Sequence, residues 1–101
     1  MAPRMTEVNV IDWHVTPFRA DRWYAAWRPA LERAPAFGAT SYSLTRSEDD
    51  HLHFRQTTHW QSREDFERYW SSDEVAHARE EAINYYAKPL LPGWHMLLTD
   101  E

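Results

Sequence analysis

Arg79 is the residue whose setting most calls for chemistry. Val75, Ala78, Ala82, Ile83 and Tyr86 recur at helical spacing, and Arg79 falls inside that apolar stripe, between Val75 and Ile83. A guanidinium on the inner face of a helix must be paired or must reach a cavity, because an unpaired buried charge is very costly. Two roles fit. One is structural: an ion pair with a strand carboxylate such as Asp12, or a stem that snorkels to the rim. The other is a cation that holds an anion or enolate in a pocket.

The histidines form a second constellation. His51, His53, Arg55, Thr57 and His59 share one side of a strand by period two, and Asp12 and His14 share one side of another. Three His with an Asp are a donor set for zinc, iron or nickel. No helical HxxxH or HExxH spacing fixes such a geometry, however, so solvated or interface histidine is the favoured reading and no metal ligand is assigned. His59 and His14 are also the available general bases for an oxygenation in which the substrate gives up a proton. Alternation sets His14 opposite Trp13 and His59 opposite Trp60, which a bulge would reverse.

Six Trp and five Tyr lie among modest numbers of Ile, Leu and Val. Core and subunit interface account for most of them. Trp13, Trp27, Trp60, Phe66 and Tyr69 are the rings best placed to wall a pocket for a flat ligand, with Arg79 as partner for a developing oxyanion.

These side chains need elements to position them. Glu7 to Thr16 alternates as a strand, and Pro17 ends it. Asp21 can cap a helix in which Trp23, Trp27, Ala30, Leu31 and Ala34 form a stripe with Tyr24 at its flank; Pro29 inside it calls for a kink or a break. Pro35 and Gly38 close that helix. Ala39 to Arg46 and His51 to Trp60 read as a hairpin. Ser62 with Asp65 and Ser71 with Glu74 then announce two helix starts, as reciprocal capping boxes, for Arg63 to Trp70 and Asp73 to about Ala87, the latter ended by Pro89. Pro92-Gly93 turns into a last strand from Trp94 to Thr99. Residues 1 to 6 read as a loose start.

The order βαββαβ is that of an α+β, ferredoxin-like domain, a four-stranded antiparallel sheet with both helices on one face. A length of 101 residues fits one domain, residues 1–101. The other face of the sheet carries Val8 and Val10, and a homodimer pressing two such faces together would bury them. The net charge of −5 argues against a nucleic-acid partner. No apolar run is long enough for a membrane span or a signal peptide, and the lack of Cys suits a reducing cytoplasm.

From Phe54 through Trp60-Gln61-Ser62, Phe66, Trp70 and Ser72 into the helix from Asp73, the chain resembles the antibiotic-biosynthesis monooxygenase family of dimeric α/β barrels. Val15-Thr16-Pro17 before the first helix, and Gly38 before Ser41-Tyr42, match it as well. The resemblance implies that fold and a homodimer. It also implies one of several activities: cofactor-independent oxygenation of polycyclic aromatics, haem degradation, or isomerisation and cyclisation of small molecules. The residues that serve haem in the degrading branch fall at Ile11, Tyr69 and Arg79, none of which matches, and His77 should point elsewhere; haem degradation is therefore not carried over. The expectation is a monooxygenase-like protein that binds a small flat aromatic or phenolic molecule and needs no cofactor. The alternative is a non-catalytic dimeric binding or interaction module of the same fold, and a third reading is a metal enzyme using the histidine band. Gly-rich phosphate loops, a Ser nucleophile motif and paired helical carboxylates are lacking, so nucleotide binding and acyl transfer have no local support.

Overall fold

Alternation along the first strand sorts its side chains between two environments. The structure, a computed structural model, describes residues 6–87 and 90–99. Residues 1–5 of the expected loose start, and Pro89 as the end of the last helix, lie outside that range. In β1 (Glu7–His14), Asn9, Ile11 and Trp13 are fully buried against the helices, while Val8, Val10, Asp12 and His14 take the other face. The strand stops two residues short of Thr16, although Val15 still bridges to Tyr86.

Helix α1 (Ala20–Glu32) buries Trp23, Trp27, Ala30 and Leu31, the expected stripe. It neither breaks nor stops at Pro29. Pro29 lies on the exposed side, and with no N–H of its own it leaves the Ala25 carbonyl without that helical bond. Asp21 sits in the first turn, where its charge suits the helix dipole, but Arg19 is the N-cap residue and supplies no side-chain cap. A short 3-10 turn, Ala34–Phe37, follows and ends at Gly38 with φ 112°. A side chain there would be strained, and its Cβ would stand 3.1 Å from the Asp65 carboxylate.

The hairpin pairs β2 (Ser41–Arg46) with β3 (His53–Trp60), both shorter at their starts than expected. After it come α2 (Arg63–Ser71), α3 (Asp73–Ala82), a 3-10 turn at Ile83–Tyr85, and β4 (Gly93–Met96). The sheet runs β2-β3-β1-β4, antiparallel throughout, with the helices on one face. This is the ferredoxin-like α+β fold. Pairing of β1 with β3 is unbroken from Glu7↔Trp60 to His14↔His53, so no bulge reverses the parity of either strand.

Two helix starts are present, but the second cap is Ser72 and not Ser71. Ser62 accepts the Asp65 N–H at 3.3 Å, and Ser72 accepts the Val75 N–H at 3.4 Å. Ser71 instead donates to the Glu67 carbonyl at 2.7 Å, which makes it the last residue of α2. Neither cap is reciprocal. Asp65 takes an N–H from Arg68, and Glu74 pairs with Arg33 at 2.8 Å.

Candidate active-site groove

The tightening of α3 into a 3-10 turn ends its helical phase at Ala82, which leaves Ile83 exposed and not on the buried stripe. The chain then runs back along the end of β1. Tyr85 accepts the Thr16 N–H at 2.8 Å, and Ala87 donates to the His14 carbonyl at 2.8 Å. Between this return segment and helices α2 and α3 lies a groove of about 420 Å³, lined by Trp70, Ala76, Arg79, Glu80, Ile83, Tyr86 and Leu90.

Arg79 is half-buried at the groove. Its Nη2 donates to the Trp70 carbonyl at 3.0 Å, and its guanidinium lies 4.5 Å from the centre of the Trp70 ring. The Nε–H is buried and has no partner among the described residues. Cation–π attraction and one hydrogen bond thus hold the head group in place while leaving donors unused. Asp12 is not its partner. That carboxylate faces the other side of the sheet, 2.8 Å from His53 Nε2 and 2.9 Å from Arg55 Nε. Burial alone would raise the Asp12 pKa, but hydrogen bonds from Arg55 and His53 outweigh it and hold the carboxyl below its ordinary value.

The sequence profile of the family described as antibiotic biosynthesis monooxygenase matches residues 7–81. The chain belongs to this family. No curated protein matches it. Among solved structures, a Nitrosomonas europaea protein named for the same family superposes with a TM-score of 0.87 at 16% identity, covering 97% of this chain and 95% of its own. A Caulobacter crescentus protein, likewise named for the family, gives 0.84 at 15% identity, over 95% of this chain and 92% of its own. Rv0793 from Mycobacterium tuberculosis gives 0.81 at 16% identity, over 94% and 97% respectively. Identities this low establish the shared fold and leave the chemistry to the residues of each chain.

In this family member the five rings picked from the sequence stand one layer behind the groove. Trp13, Trp27, Trp60 and Tyr69 are fully buried, and Phe66 nearly so. Three of them touch the groove wall: Trp27 meets Trp70 at 5.8 Å, Phe66 stacks on Trp70 at 5.6 Å, and Trp13 meets Tyr86 edge-on at 5.1 Å. Trp60 and Tyr69 lie deeper, 5.5 Å apart. Trp60 donates to Thr58 Oγ1 at 2.7 Å, and Tyr69 donates to the Ala30 carbonyl at 2.7 Å. Burial pushes the Tyr69 phenol far above its ordinary pKa, so it stays protonated. Trp70 and Tyr86 are the rings that reach the groove itself.

His14 and His59 lie on the open face, with the sheet between them and Arg79. His14 stacks on His53 at 4.9 Å, and His59 stands across from Val8. His51 falls in the turn before β3 and leaves the band. Among the described residues no three His, Asp or Glu side chains form a metal-holding group. Of the three positions that serve haem elsewhere in the family, Ile11 and Tyr69 are fully buried and Arg79 is at the groove. His77 points outward and pairs with Glu81 at 3.0 Å.

Two residues absent from the sequence-based choice are Asn9 and Gln56. Both are fully buried on the helix side of the sheet. Gln56 Oε1 accepts the Trp27 indole N–H at 2.7 Å, while Gln56 Nε2 and both polar atoms of Asn9 have no partner among the described residues. Parity was the available signal, since Asn9 alternates with Ile11 and Trp13, and Gln56 with Phe54 and Trp60.

Proposed function

We propose that this protein binds a small, flat, aromatic or phenolic molecule in the groove between α3 and the return segment, and oxygenates it with electrons drawn from the substrate itself. The observation that carries this reading is Arg79, a cation fixed against Trp70 with an unpartnered buried N–H at an aromatic-walled groove. A guanidinium in this position favours the phenolate over the phenol, because a nearby positive charge lowers an acid's pKa. The phenolate is the form that passes electrons to dioxygen. A ring CH₂ beside it then becomes a carbonyl, with one oxygen atom retained and the other leaving as water. Glu80 at the rim, or water at the mouth of the groove, takes the substrate proton, since the sheet separates His14 and His59 from Arg79. No helix among the described residues is long and apolar enough to cross a membrane, and the lack of Cys supports a cytoplasmic setting.

A second reading, a non-catalytic binding module, is favoured by one observation: among the described residues no histidine lines the groove. Oxygen uptake with a panel of phenols and anthrones, followed together with tryptophan emission, separates the two. Saturable quenching with oxygen consumption, reduced at least about tenfold in a folded Arg79→Ala variant, supports oxygenation. Quenching with no oxygen consumption supports the binding module, and no quenching by any compound removes both.

The proposal extends to a homodimer with each groove inside one subunit. Its support is the face of the sheet turned away from the helices, where Val10, Thr57 and His59 are only partly buried.

A further inference from the structure

A primary amide with no partner is an expensive thing to bury. Asn9 is 0% exposed, and neither its Nδ2 nor its Oδ1 meets a partner among the described residues. Leaving both groups unpaired costs on the order of several hydrogen bonds' worth of desolvation, and an apolar residue of the same size would avoid that cost. The neighbours do not compensate. Thr58, across the β1–β3 ladder, already accepts from Trp60, and Trp94, across the β1–β4 ladder, presents a ring. Gln56, diagonal to Asn9 on the same face, has its amide orientation fixed by the Trp27 N–H, which leaves its Nε2 donors unused.

We propose that Asn9, supported by Gln56, is a buried polar subsite that recognises the edge of a flat ring in which a donor stands beside a carbonyl. The proposal rests on the ligand-binding reading above and names the class of ring that fits it. A carboxamide offers an N–H next to a C=O, and its complement is the same pair reversed: a lactam N–H, or an enolic hydroxyl, adjacent to a ring carbonyl. Two hydrogen bonds then close at once in a low-dielectric interior. Gln56 adds a further donor, which favours the carbonyl oxygen. Phe66 stacks on Trp70 at 5.6 Å and meets Trp94 edge-on at 5.3 Å, so the proposed way in from the groove to Asn9 requires these packed rings to move apart.

Carbostyril and coumarin test this directly. They share one bicyclic outline, and coumarin has a ring oxygen where carbostyril has the lactam N–H. Calorimetric titration of the wild-type protein should show carbostyril binding about tenfold more tightly, the factor for one lost hydrogen bond whose partner stays buried. Asn9→Leu and Asn9→Ala should both bind the two compounds with equal affinity. Unliganded Asn9→Leu should melt no lower than wild type, because an amide that waits for a ligand gives nothing to the empty fold. Equal binding of the two compounds by wild type, a preference that survives in both variants, or a Tm loss of several degrees in Asn9→Leu overturns the subsite and leaves the ligand-binding reading standing. If wild type binds neither compound, nor any phenol of the wider panel, both fall together.

Discussion

Gln56 Oε1 accepts the indole N–H of Trp27 at 2.7 Å, and both side chains are fully buried. This bond ties α1 to the third strand across the core, where no solvent can replace it. Gln56→Leu would strand the indole N–H and should cost about 1–3 kcal/mol. For a domain of this size each kcal/mol corresponds to roughly 4–8 °C in Tm. A thermal melt checks the loss, and Trp27→Phe in the same background should recover part of it, since both partners are then gone.

Tyr69 gives the protein an alkaline weakness. Its buried phenol holds its proton well above the ordinary tyrosine value of about 10, while the unfolded chain releases it there. The unfolded state therefore binds fewer protons above that pH, and stability falls as pH rises past it. Tyr69→Phe removes this dependence and should lose about 0.5–1.5 kcal/mol at neutral pH with the bond to Ala30. Urea midpoints measured from neutral to strongly alkaline pH should converge for the two proteins, and parallel curves would refute the account.

Ser71 and Ser72 are adjacent and should behave differently. Ser72 caps α3 through the Val75 N–H, so Ser72→Ala should destabilise by about 0.5–2 kcal/mol. Ser71 is exposed and only back-bonds within α2, so Ser71→Ala should stay within about 0.5 kcal/mol of wild type. Denaturant titration of the pair checks the assignment; equal losses would count against it.

Val10 tests the proposed dimer. It lies on the open face between Thr57 of β3 and Gly93 of β4. Val10→Glu would bury a charge wherever two such faces meet, at a cost of several kcal/mol. Sedimentation should show the wild type as a dimer and the variant as a folded monomer. A monomeric wild type would end the proposal.

The fold was legible because its two periodicities are clean. Ile11 and Trp13 alternate to one face, and Trp23, Trp27, Ala30 and Leu31 keep helical spacing, so strand and helix each declare their buried side. The misses have local causes. The break expected at Pro29 is absent: α1 continues through it, with the proline on the exposed side, a matter of phase that composition does not convey. Ile83 left the stripe because the helix tightened to 3-10 at that residue. The candidate site was harder to read. The rings with the strongest pattern, Trp13, Trp27, Trp60, Phe66 and Tyr69, are the core, and core packing is what makes a pattern strong. Trp70 and Tyr86 reach the groove because they sit at the edges of that pattern, and nothing in the sequence marks Asn9, on the same side of its strand as Ile11 and Trp13, as more than one residue of that side.

The crowding of indoles has an optical consequence. Trp23 and Trp27 lie 5.2 and 4.7 Å from Trp13, and Trp70 lies 5.8 Å from Trp27. At such separations excitation hops between rings far faster than it is emitted. A photon absorbed anywhere in the cluster therefore samples every member before it leaves, and the spectrum belongs to the set, with no single residue as its source. A molecule that touches only Trp70 drains the light of all four, which makes this protein its own amplified sensor for whatever enters the groove.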